Sequence, residues 1–170
     1  MSLDLARTGI STLHLLHLIT HAPTLRELNI SSNPSIMDDS RVPLSALPRL
    51  VFVHLRETAI TMPCLRLLVY ALPSKCRFVT LPQGCLNYLN DRNRHYSVSL
   101  PAGYAEDPRH VANLPLALLK KNLELHKKCN QGIALSGSKS ELVHRLMSIL
   151  CGRVADGCIS KRIGRSNDVN

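Results

Sequence analysis

The stretch LRELNISSNPSI, residues 25–36, has a counterpart one period further on, LVFVHLRETAI at 50–60, and a shorter one before it, LDLARTGI at 3–10. Leu3, Leu28 and Val53 recur at one constant spacing, as do Leu5, Ile30 and Leu55, and Thr8, Asn33 and Thr58. Ile10, Ile36 and Ile60 follow the same spacing with a slip of one position. A fixed period of this length marks stacked supersecondary units. The alternation L-x-L predicts a short strand in each unit, with Leu3/Leu5, Leu28/Ile30 and Val53/Leu55 pointing inward. Asn33 is placed to bond free backbone groups at the turn, a role that Thr8 and Thr58 fill less fully. Pro23, Pro48 and Pro73 share the period and end a helical stretch before each following strand. One such stretch carries Leu13, Leu16 and Ile19 or Thr20 as its apolar positions, another Cys64, Leu67, Leu68 and Leu72. A fourth strand is predicted at 78–81, one period on or one position beyond it, and stopped by Pro82 and Gly84.

Each unit fits L-x-x-L-x-L-x-x-(N/T)-x-(L/I), and on that pattern residues 1–86 resemble a leucine-rich-repeat protein. The resemblance implies an α/β solenoid of about three repeats whose strands line a concave face. It also implies a protein partner bound by the variable residues of that face, here Asp4, Ala6, Asn29, Ser31, His54 and Arg56. Met1 falls almost on the first strand, which leaves no room for a cap over the terminal repeat. The expectation is therefore a chain truncated at its N-terminus.

The second informative stretch is LPLALLKKNLELHKKCNQGIALSGSKSELVHRLMSIL, residues 114–150. Ser138 followed by Glu141 forms a capping box, so a helix is predicted to start there. Gly137, just before it, permits a sharp turn. Leu142, Val143, Leu146, Ile149 and Leu150 make one apolar stripe, with Lys139, His144 and Arg145 off it. A preceding helix is predicted from near Pro115 to about Lys128, with Leu116, Leu119 and Leu123 inward and Lys120, Lys121, Lys127 and Lys128 outward. The run from Gly132 to Leu146 is similar to the SAP pattern G-L-x-x-S-G-x-K-x-E-L-(I/V)-x-R-L. It matches at Gly132, Ser136, Gly137, Lys139, Glu141, Leu142, Val143, Arg145 and Leu146. It departs from the pattern in the longer connection at Cys129-Asn130-Gln131. The resemblance implies a small all-α helix–loop–helix module that binds DNA, often AT-rich duplex, or RNA. The residues it assigns to the phosphate backbone are Ser136, Gly137, Ser138, Lys139 and Arg145, to which Lys127 and Lys128 add neighbouring positive charge. An exposed helix start offers N–H groups and partial positive charge to phosphate, contacts that position a protein without reading much sequence.

Charge agrees with this division. Net charge is +9, and residues 114–170 hold 10 Lys/Arg against 4 Asp/Glu. Such a field draws nucleic acid, an anionic membrane or an acidic protein. Aromatics are only 4% and Trp is absent, which argues against reading bases on aromatic platforms. The six cysteines form no CxxC pair and read as reduced thiols, with Cys64 facing a core. His14, His17 and His21 share a helix face and read as its polar outer side rather than as metal ligands. No apolar run reaches the roughly 20 residues that span a bilayer. GxxxxGK[ST], GxGxxG, HExxH and GxSxG motifs are absent, so neither catalysis nor a cofactor is expected. Residues 87–113 read as a linker with a short strand at 96–100. Residues 151–170 read as a flexible basic tail in which Lys161, Arg162 and Arg165 extend a phosphate-binding surface or form a weak nuclear signal. The sum is a nuclear, nucleic-acid-associated adaptor holding DNA or RNA and a protein partner. The alternative is a protein–protein scaffold without nucleic-acid binding.

Overall fold

The fold is taken from a computed structural model, which describes residues 1–164. Four short strands, β1 (Ser2–Asp4), β2 (Glu27–Asn29), β3 (Phe52–His54) and β4 (Arg77–Thr80), form one parallel sheet in sequence order. The period of the sequence is the pairing register of this sheet: Leu3 opposes Leu28, Leu28 opposes Val53, and Val53 opposes Phe78. The register then slips, so that His54 opposes Thr80. Leu28, Val53 and Phe78 are buried along this ladder, with Leu25, Ile30, Leu50 and Leu55 beside them. Asn33 is fully buried, and its amide donates to the carbonyls of Leu5 (2.8 Å), Ile30 (3.0 Å) and Ser31 (3.1 Å). Thr8 and Thr58 each reach one carbonyl, Leu5 O and Leu55 O.

Between the strands run a 3₁₀ helix (Thr12–His21), a 3₁₀ turn (Asp38–Ser40) leading into α1 (Arg41–Ser45), and α2 (Met62–Ala71). After β4 come α3 (Gln83–Asn90), two 3₁₀ segments (Arg92–Arg94 and Pro108–Asn113), α4 (Leu116–Lys127) and α5 (Lys139–Arg162). The chain divides into two compact units. The first takes Met1–Leu89 and the chain from Gly157 onward, the second Asn90–Asp156. Arg165 and the rest of the basic tail's end lie outside the described residues.

These features correct the expected fold. The chain is not a leucine-rich-repeat solenoid followed by an all-α module; it is a mixed α/β structure, about half helical, around one small four-stranded parallel sheet. The period covers the sheet register and the turn after each strand, where Arg7, Ser32 and Glu57 share φ of +58°, +57° and +56°, but not the connecting segments, which are unlike one another in helix type and length. Nor does the helical part follow as a separate end module. α5 runs 24 residues, through the segment read as a flexible tail, and its last turn belongs to the first unit. There Ile163 bridges to Phe78, and the Gly164 N–H donates to the Phe78 carbonyl at 3.0 Å.

Two inward faces also differ from expectation. Leu13, Leu16 and Ile19 are exposed, and Leu15 and Leu18 are buried instead. Both sets are spaced by three residues, one turn of a 3₁₀ helix, so the spacing alone does not choose the inward face and packing selects positions 15 and 18. In α2 the buried residues are Met62, Cys64, Leu65, Leu68 and Val69, with Leu72 buried just beyond its end, and Leu67 points out. Residues 96–100 form no strand. Tyr96 is buried, and its hydroxyl donates to the buried Asp156 carboxylate at 2.8 Å.

The second unit is built on α4 and the first half of α5. Val111, Leu119, Leu123, Ile133, Leu142, Leu146 and Leu150 form its core. Leu116 does not join it; it is exposed at the start of α4. His126 is fully buried at the edge of this unit, and its Nδ1 accepts the Ser97 N–H at 3.1 Å, which places the ring proton on Nε2. Burial, and then the charge of Arg153, push its pKa down to about 4. Protonation would also break the Ser97 bond. Between pH 6.5 and 4 the unfolded chain takes up a proton that the folded chain refuses. Stability from this group is therefore complete above pH 6.5 and falls as pH drops toward 4, by up to about 3 kcal/mol. An NMR titration of the His126 ring is expected to find no midpoint above about pH 5; a midpoint near the ordinary histidine value would contradict its burial.

Candidate nucleic-acid interface

The start of α5 is fixed by local bonds that the sequence encodes. Ser138 N–H donates to Glu141 Oε2 at 2.6 Å, the Ser138 hydroxyl donates to the same oxygen at 2.8 Å, and the Glu141 N–H donates back to Ser138 Oγ at 3.3 Å. These bonds, the backbone one first, hold the Glu141 carboxyl below the usual carboxylate range. Gly137 has φ +128°, and a Cβ there would meet Glu141 Oε2 at 2.9 Å. Any other residue would be strained and would push the capping carboxylate away. The first four N–H groups of a helix have no intrahelical acceptor. With Ser138 and Glu141 satisfied by the box, those of Lys139 and Ser140 remain, on exposed residues.

Arg145 is tied to the loop before α5. Its Nη1 donates to the carbonyls of Ala134 (2.8 Å) and Ser136 (3.2 Å). It therefore braces the loop before α5 from inside the helix. Ile133 anchors the same loop in the core, and the Gly132 N–H caps onto Asn130 Oδ1 at 3.0 Å. An open groove of about 720 Å³ runs beside it, lined in part by Gly132, Ser140, Glu141, His144 and Arg145. Among the described residues lining it, the one carboxylate, Glu141, is turned onto Ser138. Ser136, Gly137, Ser138 and Lys139 are all exposed at the groove's end of the helix. Lys128 is exposed and Lys127 half-buried at the end of α4, directly before the loop. Lys121 is occupied differently, with its Nζ 5.0 Å above the Tyr104 ring.

The residues expected to hold a protein partner lie on or just after the strands. Asn29 and His54 are register neighbours on β2 and β3. Asn29 Oδ1 accepts the Ser31 N–H at 3.1 Å. His54 Nε2 stands 3.4 Å from Glu27 Oε1, and Arg56 Nε 3.2 Å from Glu57 Oε1. No motif in the sequence marks Glu27, although the shared strand register sets its strand beside that of His54. The sheet thus carries Asn29 and His54 together, with Ser31 and Arg56 in the turns beyond.

Chemistry elsewhere is muted. Burial pushes the Cys64 thiol up to about 12 and those of Cys76 and Cys85 up to about 11, so all three are protonated at neutral pH. Among the described residues, no three His, Cys, Asp or Glu side chains gather as metal ligands. His14 Nδ1 instead accepts the Ser11 N–H at 3.1 Å. No described helix is long and apolar enough to cross a membrane. Comparison with protein-family models, with curated proteins and with solved structures finds no match to this chain.

Proposed function

We propose that the chain is a nucleic-acid-associated adaptor that holds the phosphate backbone of DNA or RNA at the start of α5. One observation carries this reading: an exposed helix N-terminus, fixed by the Ser138–Glu141 box, Gly137 and the Arg145 brace, with Lys139 on its first turn, and with Lys127 and Lys128 at the end of α4. Two free N–H groups and a partial positive charge there suit a phosphate oxygen, and the exposed Ser136 hydroxyl is at hand. Backbone contacts of this kind give sequence-tolerant binding. In this reading Asn29, Ser31, His54 and Arg56 meet a protein partner, no cofactor takes part, and the chain works in the nucleus as a binding protein rather than an enzyme.

The test is fluorescence anisotropy of the whole chain against a labelled AT-rich duplex, a GC-rich duplex and single-stranded RNA at two salt concentrations. Binding to at least one that weakens with salt supports the reading, and the ranking names the polymer. Absence of binding to all three at low salt ends it. A protein–protein scaffold is the second reading. It draws on the apolar side chains left exposed on the helical segments of the first unit, Leu13, Leu16, Ile19, Val42 and Leu67, and would leave affinity for a partner largely independent of salt.

A further inference from the structure

A second basic feature lies in the first unit, and we infer that it is a binding cleft for a phosphate-bearing anion. The chain turns at Pro73–Cys76, where the Cys76 N–H donates to the Pro73 carbonyl at 2.8 Å. The last turn of α5 comes alongside. Together they line a cleft of about 460 Å³ with Ser74, Lys75, Cys76, Arg77, Lys161 and Arg162. Lys75 and Arg77 thus meet two cations from the far end of the sequence.

The fold imposes this meeting. The Phe78–Ile163 bridge, the Gly164 N–H bond to Phe78 O at 3.0 Å and the Arg162 Nη1 bond to Pro73 O at 3.3 Å hold the two segments together. Among the described residues no carboxylate lines the cleft, and none of the four cations is in an ion pair. The C-terminal dipole of α5 offsets only about half a unit charge. Four like charges held around one concavity repel one another, so an anion placed there relieves an unfavourable energy as well as gaining its own contacts. Two guanidinium groups match the paired oxygens of phosphate, and two ammonium groups and the Ser74 hydroxyl add single contacts. The cleft therefore fits a compact phosphate-rich group, either the di- or triphosphate moiety of a small molecule or successive phosphates of a nucleic-acid backbone. It does not depend on the helix-start site proposed above.

Isothermal titration of the whole chain with sodium tripolyphosphate at low salt tests the cleft. One saturable site is expected. It should weaken at least about tenfold in Lys75→Gln/Lys161→Gln, two residues without side-chain bonds among the described residues, because the pair of changes removes two charge-assisted contacts to phosphate. It should survive Lys75→Arg/Lys161→Arg and Lys127→Gln/Lys128→Gln/Lys139→Gln. In the unmodified protein, tripolyphosphate is expected to shield Lys75 and Lys161 from acetylation while Lys120 reacts as before. No saturable binding, equal binding by the Gln pair, equal acetylation with and without ligand, or loss in the α4–α5 triple variant each overturns the cleft. An oligonucleotide that displaces tripolyphosphate identifies the backbone as the occupant; one that does not leaves a phosphorylated small molecule, and both results keep the site.

Discussion

Leu146→Ala is expected to destabilise the second unit by about 3–4 kcal/mol, as truncation of a fully enclosed leucine does. Leu146 has no exposed surface and sits one helical turn from Leu142 and from Leu150, both equally buried. Leu119 and Leu123 of α4 belong to the same core. The substitution removes three carbons from a site walled by two helices, and helix backbones cannot close the gap as a loop can. Natural domains hold a margin of about 5–15 kcal/mol, so the loss is a large share of it. Urea unfolding followed by circular dichroism is the measurement. A loss below about 1 kcal/mol would mean that the two helices do not share this core. The variant also links stability to the proposed site, because the loop holding Ser136 and Gly137 is pinned by Ile133 in the same cluster.

Lys127→Gln/Lys128→Gln/Lys139→Gln is expected to weaken nucleic-acid binding by roughly 500-fold near 0.1 M salt. Counterion release makes each phosphate contact worth about 0.9 of a decade at that concentration, and three contacts multiply. None of the three lysines has a side-chain bond among the described residues, and their removal spares the capping box, Gly137 and Arg145. The variant should therefore melt like the parent. Arg41→Gln/Arg49→Gln, on the first unit, serves as the control for net charge and should change affinity by less than about threefold. A triple variant that keeps its affinity within about fivefold would place the phosphate contacts elsewhere.

How much of this was legible in the sequence follows from the range of each interaction. The strand register was legible because parallel strands match residue to residue, so Leu3, Leu28, Val53 and Phe78 repeat at a constant offset. The start of α5 was legible because a capping box is a strictly local pattern. The inward face of Thr12–His21 was not, since Leu13, Leu16 and Ile19 and the pair Leu15 and Leu18 are both spaced by one 3₁₀ turn and only packing selects between them. The reach of α5 to Arg162 was hidden by Gly152 and Gly157, which lower helix propensity. Packing overrides that cost, through buried Ala155, Asp156 and Ile159. The role of Arg145 as a brace, and the approach of Lys161 and Arg162 to Lys75 and Arg77, depend on folded geometry, and no spacing in the sequence announces them.

The central claim is that the start of α5 holds phosphate. An NMR titration of the uniformly labelled whole chain with a short AT-rich duplex tests it residue by residue. The amide signals of Ser136, Gly137, Ser138, Lys139 and Ser140 are expected to move most, with Lys127 and Lys128 next, and added salt is expected to reverse the shifts. Shifts confined to the strand residues around Asn29 and His54, or no shifts at low salt, would contradict it.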